Sequence, residues 1–120
     1  MGKTTLTQCI AQGLEVPEDQ YISSPSFALM HQYSGRLLLV HMDCYRLTGE
    51  EDIEGAGLTD YIGGSGLTVI EWPDRLGSLQ PEERLDITLE AVDESVRNCV
   101  LQPHGASWES RIEALAKDLL

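Results

Sequence analysis

The chain has 120 residues, 42% hydrophobic and 23% charged, a composition that fits a single small globular domain spanning 1–120. Its 20 Asp and Glu against 8 Lys and Arg leave a net charge of −12, which argues against the basic face that DNA or RNA backbones require and against binding to an anionic membrane surface. Such a chain can still hold a phosphate group locally, through backbone N–H groups, one or two cations and a metal ion.

The three cysteines, Cys9, Cys44 and Cys99, are odd in number and widely spaced. They suggest neither a disulfide framework nor a zinc site, and reduced thiols in a cytoplasmic protein are expected. No apolar run approaches the roughly 18 residues of a membrane span. The opening residues are polar through Thr7-Gln8, so no signal peptide is expected.

In chain order, residues 4–14 read as a helix, with Leu6, Ile10 and Leu14 forming one apolar stripe. Gly13 and Pro17 supply its stop signals. Residues 21–25 read as an ordered loop. Residues 27–33 and 36–42 read as strands joined by a tight turn at Ser34-Gly35. The continuous apolar run Leu37-Leu38-Leu39-Val40 predicts a strand covered on both faces. Residues 50–57 read as a short acidic helix broken by Gly55 and Gly57, and residues 61–66 as a glycine-rich loop. Residues 67–71 form a second short buried strand, ended by Pro73.

Residues 85–92 and 96–101 read as a hairpin around Asp93-Glu94-Ser95, with one face solvated. Ser107 is placed to cap a last helix whose Trp108, Ile112, Leu115 and Leu119 line one side as core packing. There is no internal repeat, low-complexity tract or domain boundary in the sequence. The pattern predicts a mixed β-sheet flanked by helices, an α/β domain.

Gly2-Lys3-Thr4-Thr5 matches the tail of the phosphate-loop pattern G-x-x-x-x-G-K-[ST]. In that pattern glycine lets the backbone pass close to phosphate, lysine reaches the β- and γ-phosphates, and the hydroxyl ligates Mg²⁺. The helix that follows points its N–H groups at the anion. Asp43 directly follows the strand predicted over 36–42, and Glu71 ends the one over 67–71. Ligands of open α/β sheets lie beyond the carboxyl ends of strands. Two carboxylates there fit a Mg·ATP site, one holding the metal and the other orienting an attacking water; the residues alone leave open which does which.

Gly2-Lys3-Thr4-Thr5, Ser24-Pro25-Ser26-Phe27, His41-Met42-Asp43-Cys44-Tyr45-Arg46-Leu47 and Val69-Ile70-Glu71-Trp72-Pro73 occur in that order. Together they resemble the G-K-T-T, S-P-T-[FY], H-x-D-x-Y-R-L and E-W-P patterns of the bacterial TsaE (YjeE) family, from residue 2 to about residue 75. The resemblance implies a P-loop ATPase that uses ATP and Mg²⁺. It would support the TsaB–TsaD transferase, which makes threonylcarbamoyladenosine beside the anticodon of tRNA, with tRNA met only through that complex. It further implies that Lys3 binds phosphate and Thr4 binds Mg²⁺. Asp43 would be the catalytic or metal-linked acid, and Glu71 the Walker B-like metal acid. The loop Ser24-Pro25-Ser26 would lie near the γ-phosphate, with Ser26 where the family usually has threonine. Trp72 would lie beside the nucleotide, and Asp74 would make a further contact.

Family members carry more chain ahead of G-K-T-T, including the first glycine of the loop and the central strand that leads into it. The expectation is therefore a P-loop NTPase-like fold lacking its N-terminal strands and the first half of the loop, with weakened Mg·ATP binding relative to a longer parent.

Other readings attach to several of these residues. His41 reads first as a hydrogen-bonded core histidine. Tyr45 and Arg46 reach the site or, for Arg46, pair with an acid of 50–54. Trp72 packs a core, and the acids Glu50, Glu51, Asp52 and Glu54 form a solvated helix face. For the whole chain, the alternatives are a small-molecule or nucleoside kinase and a nucleotide-free interaction domain.

Overall fold

In the computed structural model the described residues are 3–18, 20, 29–62, 64 and 66–119, with side chains described from Thr5 onward. Their contacts divide the chain into two compact units, Met1–Gln80 and Pro81–Leu120. Helices flank sheets in an α/β arrangement, as the sequence predicts.

The first unit opens with helix α1, Lys3–Gly13. Strands β1 (Met30–Ser34), β2 (Leu38–Asp43) and β3 (Leu67–Glu71) follow and form one sheet in the order β1-β2-β3. β1 runs antiparallel to β2, and β2 parallel to β3, so the sheet is mixed. Between β2 and β3 lie helix α2 (Glu50–Gly55) and a 3-10 turn, Leu58–Tyr61. After β3 a second 3-10 segment, Pro73–Leu79, closes the unit.

Alternation along β2 divides its side chains between two cores. Val40, Met42 and Cys44 pack with Ile53 of α2, Leu58 and Leu76 on one side. Leu39 packs with Tyr33 of β1 and with Ala11 and Leu14 of α1 on the other. The buried positions of α1 are Thr7, Ala11 and Leu14, with Ile10 half-buried beside them. Their spacing of four then three follows the 3.6-residue turn. The predicted stripe of Leu6, Ile10 and Leu14 steps by four throughout and drifts off the buried side; Leu6 ends up half-buried.

Two further expectations change. The β1–β2 connection pairs Ser34 with Leu38, which leaves Gly35, Arg36 and Leu37 between the strands instead of a two-residue turn. The extra residue lets the connection dock on the end of α1, where the Arg36 N–H donates to the Leu14 carbonyl at 2.5 Å. Gly35 is required there, since a Cβ would stand 2.4 Å from the Leu14 carbonyl oxygen. The apolar run is also not covered throughout: Leu37 and Leu38 are both 41% exposed, and burial begins at Leu39. β3 is half-buried along its whole length.

The second unit is a hairpin and a helix. Strands β4 (Arg84–Ala91) and β5 (Arg97–His104) pair antiparallel as a two-stranded sheet of their own. Asp93 builds the turn: its Oδ1 accepts the Ser95 and Val96 N–H groups, both at 2.8 Å, the local side-chain-to-backbone bonding that makes Asp a turn former. Helix α3, Ala106–Leu119, has Gly105 rather than Ser107 as the residue before its first turn, and the Glu109 N–H donates to the Gly105 carbonyl. Trp108 and Ile112 are half-buried, but Leu115 and Leu119 are 39% and 76% exposed. The predicted core stripe therefore reaches only its first two members: a two-stranded sheet is too small to cover a helix of 14 residues.

Among the described residues, no helix is long and apolar enough to cross a membrane.

Candidate functional site

The parallel register of β2 and β3 pairs Asp43 with Glu71, the last residue of each strand. Both carboxylates therefore emerge side by side at the carboxyl edge of the sheet. They share the face that carries Leu39 and His41, because residues two apart on a strand point the same way.

That face is also the one α1 covers. The C-terminal end of α1 is tied to the β1–β2 connection, at the start of β2. The first turn of α1 is at the opposite end of the helix from that tie. It holds the backbones of Lys3 and Thr4 and the exposed side chain of Thr5. Gly2 and the loop Ser24-Pro25-Ser26 lie outside the described residues.

Each acid is held by one of its oxygens. Asp43, 7% exposed, accepts the Tyr45 N–H on Oδ1 at 3.0 Å. Glu71 receives His41 Nε2 on Oε2 at 2.7 Å. Asp43 Oδ2 and Glu71 Oε1 carry no hydrogen bond among the described residues. Among those residues there is no group of three or more His, Cys, Asp or Glu placed to hold a metal ion. Two hard carboxylate oxygens without a closed protein cage suit Mg²⁺, which keeps waters and shares its coordination with phosphate. The donor set therefore fits that ion.

Directly past β3 the backbone of Trp72 is left-handed, with φ 61, a conformation that costs a non-glycine residue about 1–2 kcal/mol. The turn swings the indole beside Tyr45, ring centroids 5.0 Å apart and tilted by 51°. The Arg75 guanidinium lies 5.4 Å from the same indole centroid, a cation–π distance. Tyr45 is 60% exposed and Trp72 38%, so the two rings form an accessible aromatic step next to the acids. Asp74 faces solvent and pairs with Arg75 at 3.2 Å.

Cys44, just after Asp43, is fully buried. Burial pushes its thiol up to about 11, helped by the negative charge of Asp43 and opposed by Arg75.

The sequence pattern missed one member of this cluster. Arg75 stands in no motif, and its position over Trp72 depends on the left-handed turn. His41 is a hydrogen-bonded core histidine as read, but its partner is Glu71, thirty positions away; the spacing of His41 and Asp43 by two on one strand was the available signal.

A mixed sheet with its acids at the carboxyl strand edge, under a helix introduced by G-K-T-T, defines a P-loop NTPase-like α/β domain. The family model for "Threonylcarbamoyl adenosine biosynthesis protein TsaE" matches residues 1–99, and the chain belongs to the TsaE family. It is similar to the tRNA threonylcarbamoyladenosine biosynthesis protein TsaE of Treponema pallidum, 41% identical over 96 residues, covering 80% of this chain and 70% of that one. The protein of the same name from Bacillus subtilis is 33% identical over 117 residues, covering 97% and 72%. The crystal structure of Bacillus subtilis YdiB superposes with a TM-score of 0.78 at 28% identity, over 99% of this chain and 72% of that one.

Proposed function

We propose that the protein is an ATP-binding and ATP-hydrolysing subunit of tRNA threonylcarbamoyladenosine synthesis, acting in the cytoplasm with the TsaB–TsaD transferase on the adenosine beside the anticodon. The observation that carries the reading is the Asp43–Glu71 pair at the strand ends beneath a helix opened by Gly2-Lys3-Thr4-Thr5, in a chain of the TsaE family. The net charge of −12 supports action through protein partners rather than by holding tRNA directly.

In this reading Lys3 holds the β- and γ-phosphates, and Gly2 and Thr5 frame the approach of the chain to them. Thr4 and one of the two acids hold Mg²⁺, and the other acid orients the attacking water. Ser26 contacts the terminal phosphate, Trp72 borders the nucleotide, and Asp74 contributes an outer contact. Bound Mg²⁺ supplies charge neutralisation on the phosphates. The residues of 1–120 serve this as one ATPase domain.

The test is restoration of tRNA modification by this protein in cells depleted of their own TsaE. Recovery of threonylcarbamoyladenosine, and its loss on Glu71→Gln, is expected; no recovery by the unsubstituted chain would refute the reading. Phosphate release in vitro separates an ATPase from a kinase, which would yield a phosphorylated acceptor instead.

A further inference from the structure

His41 is completely buried. It lies two residues before Asp43, on the face that α1 covers. Its Nε2 stands 2.7 Å from Glu71 Oε2, and facing a carboxylate that nitrogen carries the proton and donates it. The other ring nitrogen, Nδ1, is buried and has no hydrogen-bond partner among the described residues.

An unmatched buried polar atom is costly, and each one calls for a reason. A leucine at the same place would fill the space without an orphaned nitrogen. What the imidazole adds is one N–H aimed at Glu71. The ring has little freedom of its own: it is enclosed on every side and sits in the middle of the sheet, between Tyr33–Leu39 pairing on one side and the strand ends on the other. Glu71 is different. Its side chain is 12% exposed and lies at the rim, where three rotatable bonds could turn the carboxylate in several directions. A fixed donor behind a mobile carboxylate is the usual device for orienting an acid.

We propose that His41 is a positioning residue: it pins Oε2 of Glu71 from inside the sheet, so that Oε1 is presented next to Asp43 at the strand ends. Tyr45 N–H does the same for Asp43 through Oδ1. What the presented oxygen does rests on the ATPase reading above; the orientation itself does not.

The comparison is between His41→Leu, which removes the donor, and His41→Gln, whose amide N–H reaches to about the place of Nε2. Three quantities are measured in the full chain: kcat and KM for ATP; Mn²⁺ affinity by electron paramagnetic resonance in the presence of a non-hydrolysable ATP analogue; and the Glu71 rotamer by crystallography. His41→Leu should lower kcat and Mn²⁺ affinity by about 10–100-fold, leave KM for ATP nearly unchanged, and turn Glu71 out of its rotamer. His41→Gln should restore most of each. Should His41→Leu fail to fold, His41→Phe, which keeps a ring and lacks the donor, serves the same comparison.

Equal losses in the Leu and Gln variants would overturn the proposal, as would a His41→Leu crystal structure with Glu71 in its original rotamer. Absence of ATP hydrolysis by the unsubstituted chain would overturn the ATPase reading instead, and the rotamer would still decide the role of His41.

Discussion

Asp43 and Glu71 are direct partners in the register of two parallel strands, and each is the last residue of its strand. Their proximity is therefore set by backbone pairing, and substitution of either acid should leave the sheet intact. The isosteric changes Asp43→Asn and Glu71→Gln keep an acceptor oxygen for Tyr45 N–H and for His41. Each should reduce ATP hydrolysis by about 100-fold or more, with a melting temperature close to that of the parent. Phosphate release and thermal melting, measured on the full chain, test this together. Full activity in both variants would remove the pair from the chemistry.

A second expectation concerns Gly77. Its φ is 52, and a Cβ there would stand 2.5 Å from Glu50 Oε1. The same Glu50 oxygen accepts the Ser78 N–H, which joins α2 to the segment after β3. Gly77→Ala should therefore destabilise the first unit by more than about 2 kcal/mol in urea denaturation, because displacement of the Glu50 contact adds to the backbone strain. In a double-mutant cycle Glu50→Ala should recover part of the loss. Simple additivity would show that Glu50 and Gly77 are not coupled.

Acid should weaken the fold through three carboxylates near the surface. Glu50 is held below its ordinary value of 4.5 by hydrogen bonds from Ser78. Asp52 is held below 3.8 by hydrogen bonds from the Thr48 side chain and backbone, and Asp93 below 3.8 chiefly by the Ser95 and Val96 N–H groups. A depressed folded-state value means the unfolded chain takes up protons first as pH falls. The contribution is thus complete above the ordinary values and fades as pH drops through them toward the folded ones. Melting temperature should fall from about pH 4.5 downward, and the combined Glu50→Gln, Asp52→Asn and Asp93→Asn variant should show a shallower fall. An identical slope in that variant would assign acid sensitivity to other groups.

The cysteines should differ in reactivity. Cys9 and Cys99 are exposed, whereas Cys44 is buried with its thiol pushed up to about 11. The thiolate is the reactive form, so timed alkylation with iodoacetamide at pH 8 should label Cys9 and Cys99 and leave Cys44 unmodified until denaturant is added. Mass spectrometry reads the count directly. Early labelling of Cys44 in the native protein would contradict its enclosure between Met42 and the α2 core.

Much of this site was legible from local pattern. Strand ends at Asp43 and Glu71 followed from apolar runs stopped by polar residues and Pro73, and the hairpin from Asp93-Glu94-Ser95, because those signals act over a few residues. What was not legible depends on chain segments meeting. The buried side of α1 includes Thr7, which a count of apolar residues passes over. The three-residue β1–β2 connection exists because Arg36 bonds to Leu14, which no turn rule contains. The place of Arg75 over Trp72 depends on a left-handed residue other than glycine, and the sequence carries no mark of that. The exposure of Leu115 and Leu119 follows from the narrowness of a two-stranded sheet, since the spacing in the helix is correct but little stands opposite it.

The left-handed turn at Trp72 has a spectroscopic side. The chain has two tryptophans. Trp72 falls in the unit Met1–Gln80 and Trp108 in the unit Pro81–Leu120, so each unit contains one indole fluorophore. Replacing either by phenylalanine leaves a single-emitter protein. Emission from Trp72 then tracks the strand-end region, where Tyr45 and Arg75 touch the ring. Emission from Trp108 tracks the hairpin unit, with Arg111 4.9 Å from its ring centroid. Denaturation curves of the two single-tryptophan proteins, overlaid, report whether the halves of this chain melt together or apart.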